Sequence, residues 1–147
     1  MYSKEETQRL KREFWIEFAD KYPRKWMLYD TKIKDLSFKF YADNKKAQVL
    51  LEIEPRNDDK RIQYFEKLES LKNILEEEFI QDLVYEKNFV LETGKTVSRA
   101  WIEKTGLSMS NRNHWEGIFD FFYTYMDAFE RFFHEYSDYI RDIEPEG

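Results

Sequence analysis

The chain has 147 residues, of which 41% are hydrophobic and 18% aromatic, and this composition excludes a disordered or low-complexity protein. The absence of cysteine excludes disulfide bonds, thiolate metal sites and a cysteine nucleophile. The formal net charge is −6, and the acidic excess lies in residues 62–147, because residues 1–61 carry 15 Lys and Arg against 12 Asp and Glu.

The first predicted element is a helix that begins at a capping box, Ser3-Lys4-Glu5-Glu6, in which Ser3 and Glu6 can cap each other's amides. Pro23 ends it, since a proline disfavours the helical conformation of the residue before it. Between these limits, apolar side chains recur at helical spacing and predict one buried stripe: Leu10, Phe14, Trp15, Phe18 and Tyr22.

A β-hairpin is predicted next, after a short extended piece over Trp26 to Tyr29. Leu36 to Tyr41 and Ala47 to Glu54 both alternate between apolar and other side chains, which is typical of half-buried strands. The polar residues 43–46 predict the turn between them, and Pro55 ends the second strand.

A long helix is predicted over residues 60–81, with Asn57, Asp58 or Asp59 as its cap. Its apolar stripe comprises Tyr64, Phe65, Leu68, Leu71, Leu75 and Phe79. A second hairpin follows, with strands over 83–91 and 96–104 and Gly94 in the turn, where a positive φ is favourable for glycine.

The last predicted helix runs from Ser110 or Asn111 to about Ile140, and residues 143–147 are expected to form a frayed tail. Three aromatic residues widen its apolar arc beyond what one contact needs: Phe121, Tyr125 and Phe132. Such width is typical either of a central helix buried on several sides or of a partner surface, here a homodimer contact through residues 112–140.

The element order predicts a single α+β domain over residues 1–147. We expect a four-stranded, mainly antiparallel sheet, made of two hairpins and packed against three helices in the order α-ββ-α-ββ-α. Hairpins that cannot bury a face alone need helices laid over them, and this arrangement is the simplest that supplies them.

Four features of these elements occur together in a known family: the run Leu36-Ser37-Phe38-Lys39-Phe40-Tyr41, the run Ala47-Gln48-Val49-Leu50-Leu51-Glu52-Ile53, the Phe65/Leu68/Leu75 helix, and Trp115 opening the last helix. In these features the chain resembles the uncharacterised bacterial family catalogued as domain of unknown function 4268, over nearly its whole length. The motifs are mostly packing positions, so the resemblance implies no catalytic residue. In that family the domain is sometimes joined to restriction-endonuclease-like modules, which implies an association with DNA-processing or defence systems.

One enzymatic hypothesis is a divergent metal-dependent nuclease that uses Glu52, Glu54 and Asp43. Such a site needs carboxylates that hold Mg²⁺, and commonly a lysine two residues after one of them. The residue two after Glu52 is Glu54, so the pattern is also that of an ordinary amphipathic strand. The histidines, His114 and His134, lack a short metal-ligand spacing, and no glycine-rich phosphate loop is present. We therefore expect no metal and no cofactor, and we favour a binding protein over an enzyme.

The binding hypothesis concerns the strand face turned away from the helices. If Phe38 faces the helices, Lys39 and Tyr41 face away, and Arg99 and Trp101 share one face of the fourth strand. Cations and aromatic rings on an open sheet are typical of surfaces that bind nucleic acid or a peptide. Trp101 could equally belong to the core.

The sequence therefore predicts an interaction module with a protein or nucleic-acid partner. The first residues lead directly into a charged segment, Lys4 to Arg12, without an apolar signal region, and no apolar run reaches the length of a membrane helix. We accordingly expect a cytoplasmic protein with no membrane partner.

Overall fold

The computed structural model describes residues 3–26, 31–33, 35–54 and 57–142. Its elements in chain order are α1 (Lys4–Lys21), β1 (Leu36–Ala42), β2 (Lys46–Ile53), α2 (Asp58–Ser70), α3 (Lys72–Glu78), β3 (Val84–Val90), β4 (Thr96–Thr105) and α4 (Trp115–Arg141). A 3₁₀ turn over Arg112–His114 leads into α4. The predicted tail lies outside the described residues, as does the predicted extended piece after Trp26.

The four strands form one sheet in the order β1-β2-β4-β3, and every neighbouring pair is antiparallel. The predicted α+β class and antiparallel sheet are confirmed. The register aligns residues in rows across the strands; one row contains Lys39, Leu50 and Trp101. Because alternate residues point to opposite faces, each such row belongs wholly to one face of the sheet.

The prediction of three helices was wrong, because the single helix expected over residues 60–81 is divided into α2 and α3 at Leu71. The Ser70 hydroxyl donates a 2.6 Å hydrogen bond to the Lys67 carbonyl, which is the acceptor that the Leu71 amide would use in a continuous helix. The Leu71 amide instead bonds to the carbonyls of Leu68 and Glu69. The chain therefore has four helices in its described residues.

The helices cover one face of the sheet, where the strands bury Phe38, Leu51 and Ala100 against the aromatic side of α4. The rings of Phe129 and Phe133 lie 5.5 and 5.4 Å from that of Phe38. Two residues that widened the predicted arc of this helix, Phe121 and Phe132, are themselves buried by their own chain. The helix is thus packed on several sides, and a homodimer through residues 112–140 stays a prediction.

The start of α1 agrees with its predicted cap, since the Ser3 hydroxyl accepts the Glu6 amide at 3.1 Å. Its Phe14 and Phe18 are buried, whereas Trp15 is 36% exposed and stacks on Phe122. None of the helices in the described part of the chain is both long and apolar enough to cross a membrane.

Candidate functional site

None of the helices in the described ranges covers the second face of the sheet, and this face carries all four residues of the predicted binding surface. Lys39 and Tyr41 lie there on β1, and Arg99 and Trp101 lie there on β4. Ala100, between the last two, is fully buried on the helical face, so Trp101 belongs to the open face and not to the main core. Between these strands, β2 contributes three residues to the same face: Gln48, Leu50 and Glu52.

A β-bulge brings a fifth important side chain, Phe89, onto this face. In β3, Glu86 pairs with Arg99 while Phe89 pairs with Val97, so three steps on one strand match two on the other. One extra residue inverts the facing of every residue after it. Phe89 consequently lies above the open face, with its ring 4.1 Å from the Arg99 guanidinium carbon and 6.1 Å from the Trp101 ring.

The bulge is held from the helical side by Arg61 of α2, which is only 3% exposed. Its Nη1 donates to the Lys87 carbonyl and, at 2.8 Å, to the Ser98 hydroxyl, while its Nη2 donates to Asn88 Oδ1 at 3.1 Å. The Ser98 hydroxyl donates in turn to the same Lys87 carbonyl at 2.6 Å. A buried guanidinium thus satisfies the backbone group that the bulge removes from the strand ladder.

The end of the β3–β4 hairpin and the open face enclose a groove of about 560 Å³. We refer to it as the open-face groove; its floor includes Leu50 and Gln48, and its sides include the four predicted residues together with the segment from Phe89 to Glu92. Leu50 is buried at its base although none of the helices described above covers it. The groove therefore combines a floor made of one apolar residue and one amide with aromatic sides and charged groups, and such a mixture is typical of binding sites in proteins.

Glu52 organises the two cations beside the groove. Its carboxylate is 1% exposed, and its two oxygens accept separate hydrogen bonds, from Lys39 Nζ at 2.6 Å and from Arg99 Nε at 2.9 Å. Both cations are thereby fixed in position, and the carboxylate is fully compensated. Glu52 supports the binding residues and does not itself line the groove.

Tyr41 and Asp43 form a second polar cluster at the other end of β1. The Tyr41 hydroxyl donates to Asp43 Oδ2 at 2.8 Å, and this bond, with burial and the nearby charges of Asp43 and Glu92, raises the Tyr41 pKa. Asp43 also accepts the amides of Lys45 and Lys46 at 2.8 and 2.9 Å. Burial opposes ionisation of Asp43, but these hydrogen bonds prevail and lower its pKa.

The structure does not bring the three carboxylates of the nuclease hypothesis together. Asp43 caps the β1–β2 turn and lies opposite Lys46, the first residue of β2. Glu52 is six residues after Lys46 on this strand, which separates it from Asp43 by about 20 Å. Glu54 forms an ion pair with Lys95. The hydrogen bond from Lys95 lowers the pKa of Glu54, and this effect exceeds that of burial, which raises the pKa. Among the described residues, no group of three His, Cys, Asp or Glu side chains is placed to hold a metal ion.

The two histidines have no role in this groove. His114 accepts the Ser108 amide at 3.0 Å through Nδ1, close to the start of α4. His134 is exposed on α4 beside a shallow depression that Arg24, Glu130 and Arg131 also line. These contacts are those of surface helix residues.

Sequence reasoning missed Phe89, Glu92 and Arg61 as contributors to the groove. Phe89 could not be found from alternation, because the bulge changes the facing within one strand. Glu92 belongs to the turn between β3 and β4, where no alternation of apolar and polar residues indicates which way a side chain faces. Arg61 did have a signal: it precedes Phe65 by four residues, which places a charged residue on the buried stripe of the helix.

The fold and the groove define an α+β domain whose antiparallel sheet has helices on one face and an open, partly aromatic surface on the other. The sequence matches the model of the family described as Domain of unknown function (DUF4268) over residues 10–137, and the chain belongs to this family. The family resemblance carried by the packing residues is thus confirmed. No curated protein and no solved structure matches the chain.

Proposed function

We propose that the chain is an interaction module that binds an extended segment of another protein in the open-face groove. The observation that carries this proposal is the assembly of Tyr41, Trp101 and Phe89 beside cations that are already fixed in position. Aromatic rings supply large, rigid contact area, and an extended peptide presents both apolar side chains and polar backbone groups to such a surface.

The charges of the groove favour a protein segment over a nucleic acid. Lys39 and Arg99 share the carboxylate of Glu52, and Lys46 lies 3.5 Å from Glu103. Glu92 adds a further negative charge at the rim. Nucleic-acid surfaces bind through several unpaired cations that displace counterions, so a nearly balanced groove is poorly matched to a chain of phosphates.

The experiment selects peptides from a random display library against the purified chain and tests oligonucleotides in parallel. We expect selected peptides to bind wild type and Ile16→Ala, whose site is a 54% exposed position on α1, and to lose about tenfold in affinity for Trp101→Ala. Equal binding to Trp101→Ala, or salt-dependent binding of single-stranded DNA or RNA without any peptide ligand, contradicts the proposal.

The association with DNA-processing or defence systems is a further part of this proposal, and it rests on the family resemblance. In such a system the module would connect its partner protein to the machinery without cutting DNA itself. The genes beside this one provide the test: a methylase or nuclease neighbour is expected, and neighbours unrelated to DNA oppose the idea. A nuclease assay with Mg²⁺ or Mn²⁺ tests the alternative activity. Cleavage by the wild type that is lost in Glu52→Ala would contradict the binding function.

A further inference from the structure

The open-face groove lies across the sheet and not along one of its edges. Its floor belongs to β2, and its sides are formed by residues of β1 and β4 and by the end of β3. Because β2 and β4 are the central strands, their backbone amides and carbonyls are already paired with neighbouring strands. A segment in the groove therefore cannot extend the sheet as a further strand, and its backbone gains no ladder of hydrogen bonds there.

The side chains of the groove leave hydrogen-bond donors available. Trp101 is partly exposed, and within the described residues its indole N–H donates no hydrogen bond and is not buried. Arg99 donates through Nε to Glu52, and in the same part of the chain its Nη groups donate to no acceptor. A ligand that supplies acceptors would therefore satisfy both side chains.

The carboxylates beside the groove, apart from the exposed Glu92 at its rim, are already engaged by this chain. Glu52 accepts Lys39 Nζ through one oxygen, and Glu103 accepts Gln48 Nε2 at 2.6 Å. Charges of both signs lie side by side on this face: Lys39, Lys46, Arg99, Glu52, Glu86, Glu92 and Glu103. Because these charges nearly cancel, the groove favours an uncharged ligand that has many acceptors and few donors.

We propose that the groove binds a proline-rich segment in the polyproline II conformation. This inference rests on the proposed function and specifies its ligand as an uncharged, proline-rich peptide. A polyproline II helix has no internal hydrogen bonds, so its carbonyls are free to accept from Trp101 and Arg99. Proline has no amide N–H, so few donors of the ligand lose their hydrogen bonds over the aromatic rings. The conformation exists before binding, which reduces the entropy that binding costs.

The aromatic rings of the groove are spaced suitably for such a helix. Trp101 lies in one row with Leu50 and Lys39, and Tyr41 is two residues after Lys39 on β1. Two strand spacings and two residues along a strand therefore separate the Cα atoms of Tyr41 and Trp101 by about 12 Å. Polyproline II rises about 3.1 Å per residue, so about four residues connect the two rings. The Phe89 ring lies 6.1 Å from the Trp101 ring at 76° to it, and the two form a corner in which a proline ring can pack.

The test compares two uncharged peptides of equal length with blocked ends: decaproline, and an alternating glycine–serine peptide that has no fixed conformation. Binding is followed by NMR through the Trp101 indole N–H and by calorimetry. We expect decaproline to shift the Trp101 signal saturably and the glycine–serine peptide to leave it in place. We also expect peptides selected from the random display library to be enriched in proline.

A conservative variant tests the donor. Trp101→Phe keeps an aromatic ring but removes the N–H, and it should lower the calorimetric affinity for decaproline about fivefold. Trp15→Phe makes the same change on α1, outside the groove, and should bind like wild type. Equal affinities of Trp101→Phe and wild type, or an equal loss in Trp15→Phe, would overturn the assignment to the Trp101 indole.

The peptide results separate this inference from the proposed function. If selected peptides bind in the groove without enrichment in proline and decaproline does not bind, the inference is overturned while the proposed function stands. If decaproline and the glycine–serine peptide shift the Trp101 signal equally, the preference for polyproline II is overturned. If neither decaproline nor any selected peptide binds, the inference and the proposed function both fail.

Discussion

The Arg61 guanidinium lies 2.8 Å from the Ser98 hydroxyl, and both groups donate to the Lys87 carbonyl in the β-bulge. Arg61 belongs to α2 and Ser98 to β4, so this contact connects the helical layer to the strand that it covers. The bulge, in turn, sets Phe89 on the opposite face of the sheet. A charged residue within the core thereby contacts the bulge next to a groove that it does not line itself.

Replacing Arg61 by methionine should release the bulge. The substitution keeps much of the volume but leaves the Lys87 carbonyl with fewer donors, and we expect a loss of about 2 to 4 kcal/mol in the free energy of unfolding. Hydrogen exchange of the β3 amides should accelerate more than that of β2. Arg141→Met, at an exposed helix end, is the control; a loss as small as that of the control would mean that Arg61 does not hold the bulge.

Replacing Glu52 by glutamine should destabilise the chain and mobilise the Arg99 and Lys39 side chains. The buried carboxylate compensates both cations, so we expect a loss of about 2 to 4 kcal/mol in urea unfolding. Glu54→Gln is the matched control, because its partner Lys95 is half exposed and the loss should stay below about 1 kcal/mol. Equal losses for the two variants would refute a central role for Glu52.

The first hairpin was predictable in detail because its strands have one apolar face. Leu36, Phe38 and Phe40 alternate with polar residues, and the structure pairs them with the apolar face of β2 as the period requires. The same alternation placed Lys39 and Tyr41 on the open face. Burial on one side fixes the facing of a strand, and this is why the residues of the predicted binding surface lie together.

The helix division and the bulge were not predictable from periodicity. Leu68, Leu71 and Leu75 keep helical spacing across the division, so the apolar stripe gives no sign that Ser70 diverts a backbone carbonyl. In β3, the side chains at Glu86 and Phe89 are consistent with several registers. In both features a side chain donates to a backbone carbonyl, Ser70 at the helix division and Arg61 and Ser98 at the bulge, and a pattern of apolar residues does not reveal such contacts.

The Asp43 cluster predicts a pH dependence of stability. The pKa of Asp43 is lowered in the folded chain, so near pH 4 the folded state binds fewer protons than the unfolded state. The stabilisation is present above the unfolded pKa and is lost as the pH falls through the folded pKa. Asp43→Asn keeps acceptors for the turn amides but does not titrate, and it should flatten the unfolding free energy between about pH 5 and 2.

The same variant should change the titration of Tyr41, whose raised pKa depends mainly on its bond to Asp43. In Asp43→Asn we expect the Tyr41 pKa to move down towards its ordinary value, as measured from the ring signals by NMR. Glu54→Gln, which removes a carboxylate near Glu52, serves as the control. An unchanged Tyr41 pKa in Asp43→Asn would contradict the hydrogen bond between these two side chains.

The most direct test that the open face is the binding surface uses three of the four tryptophans of the chain as position markers. Trp101 lines the groove, Trp15 lies on α1, and the Trp115 indole N–H donates to the Met109 carbonyl at 2.7 Å in the core. A display-selected peptide should shift the Trp101 indole signal in proportion to occupancy and leave those of Trp15 and Trp115 in place. A peptide that binds with the Trp101 signal unmoved would contradict the account.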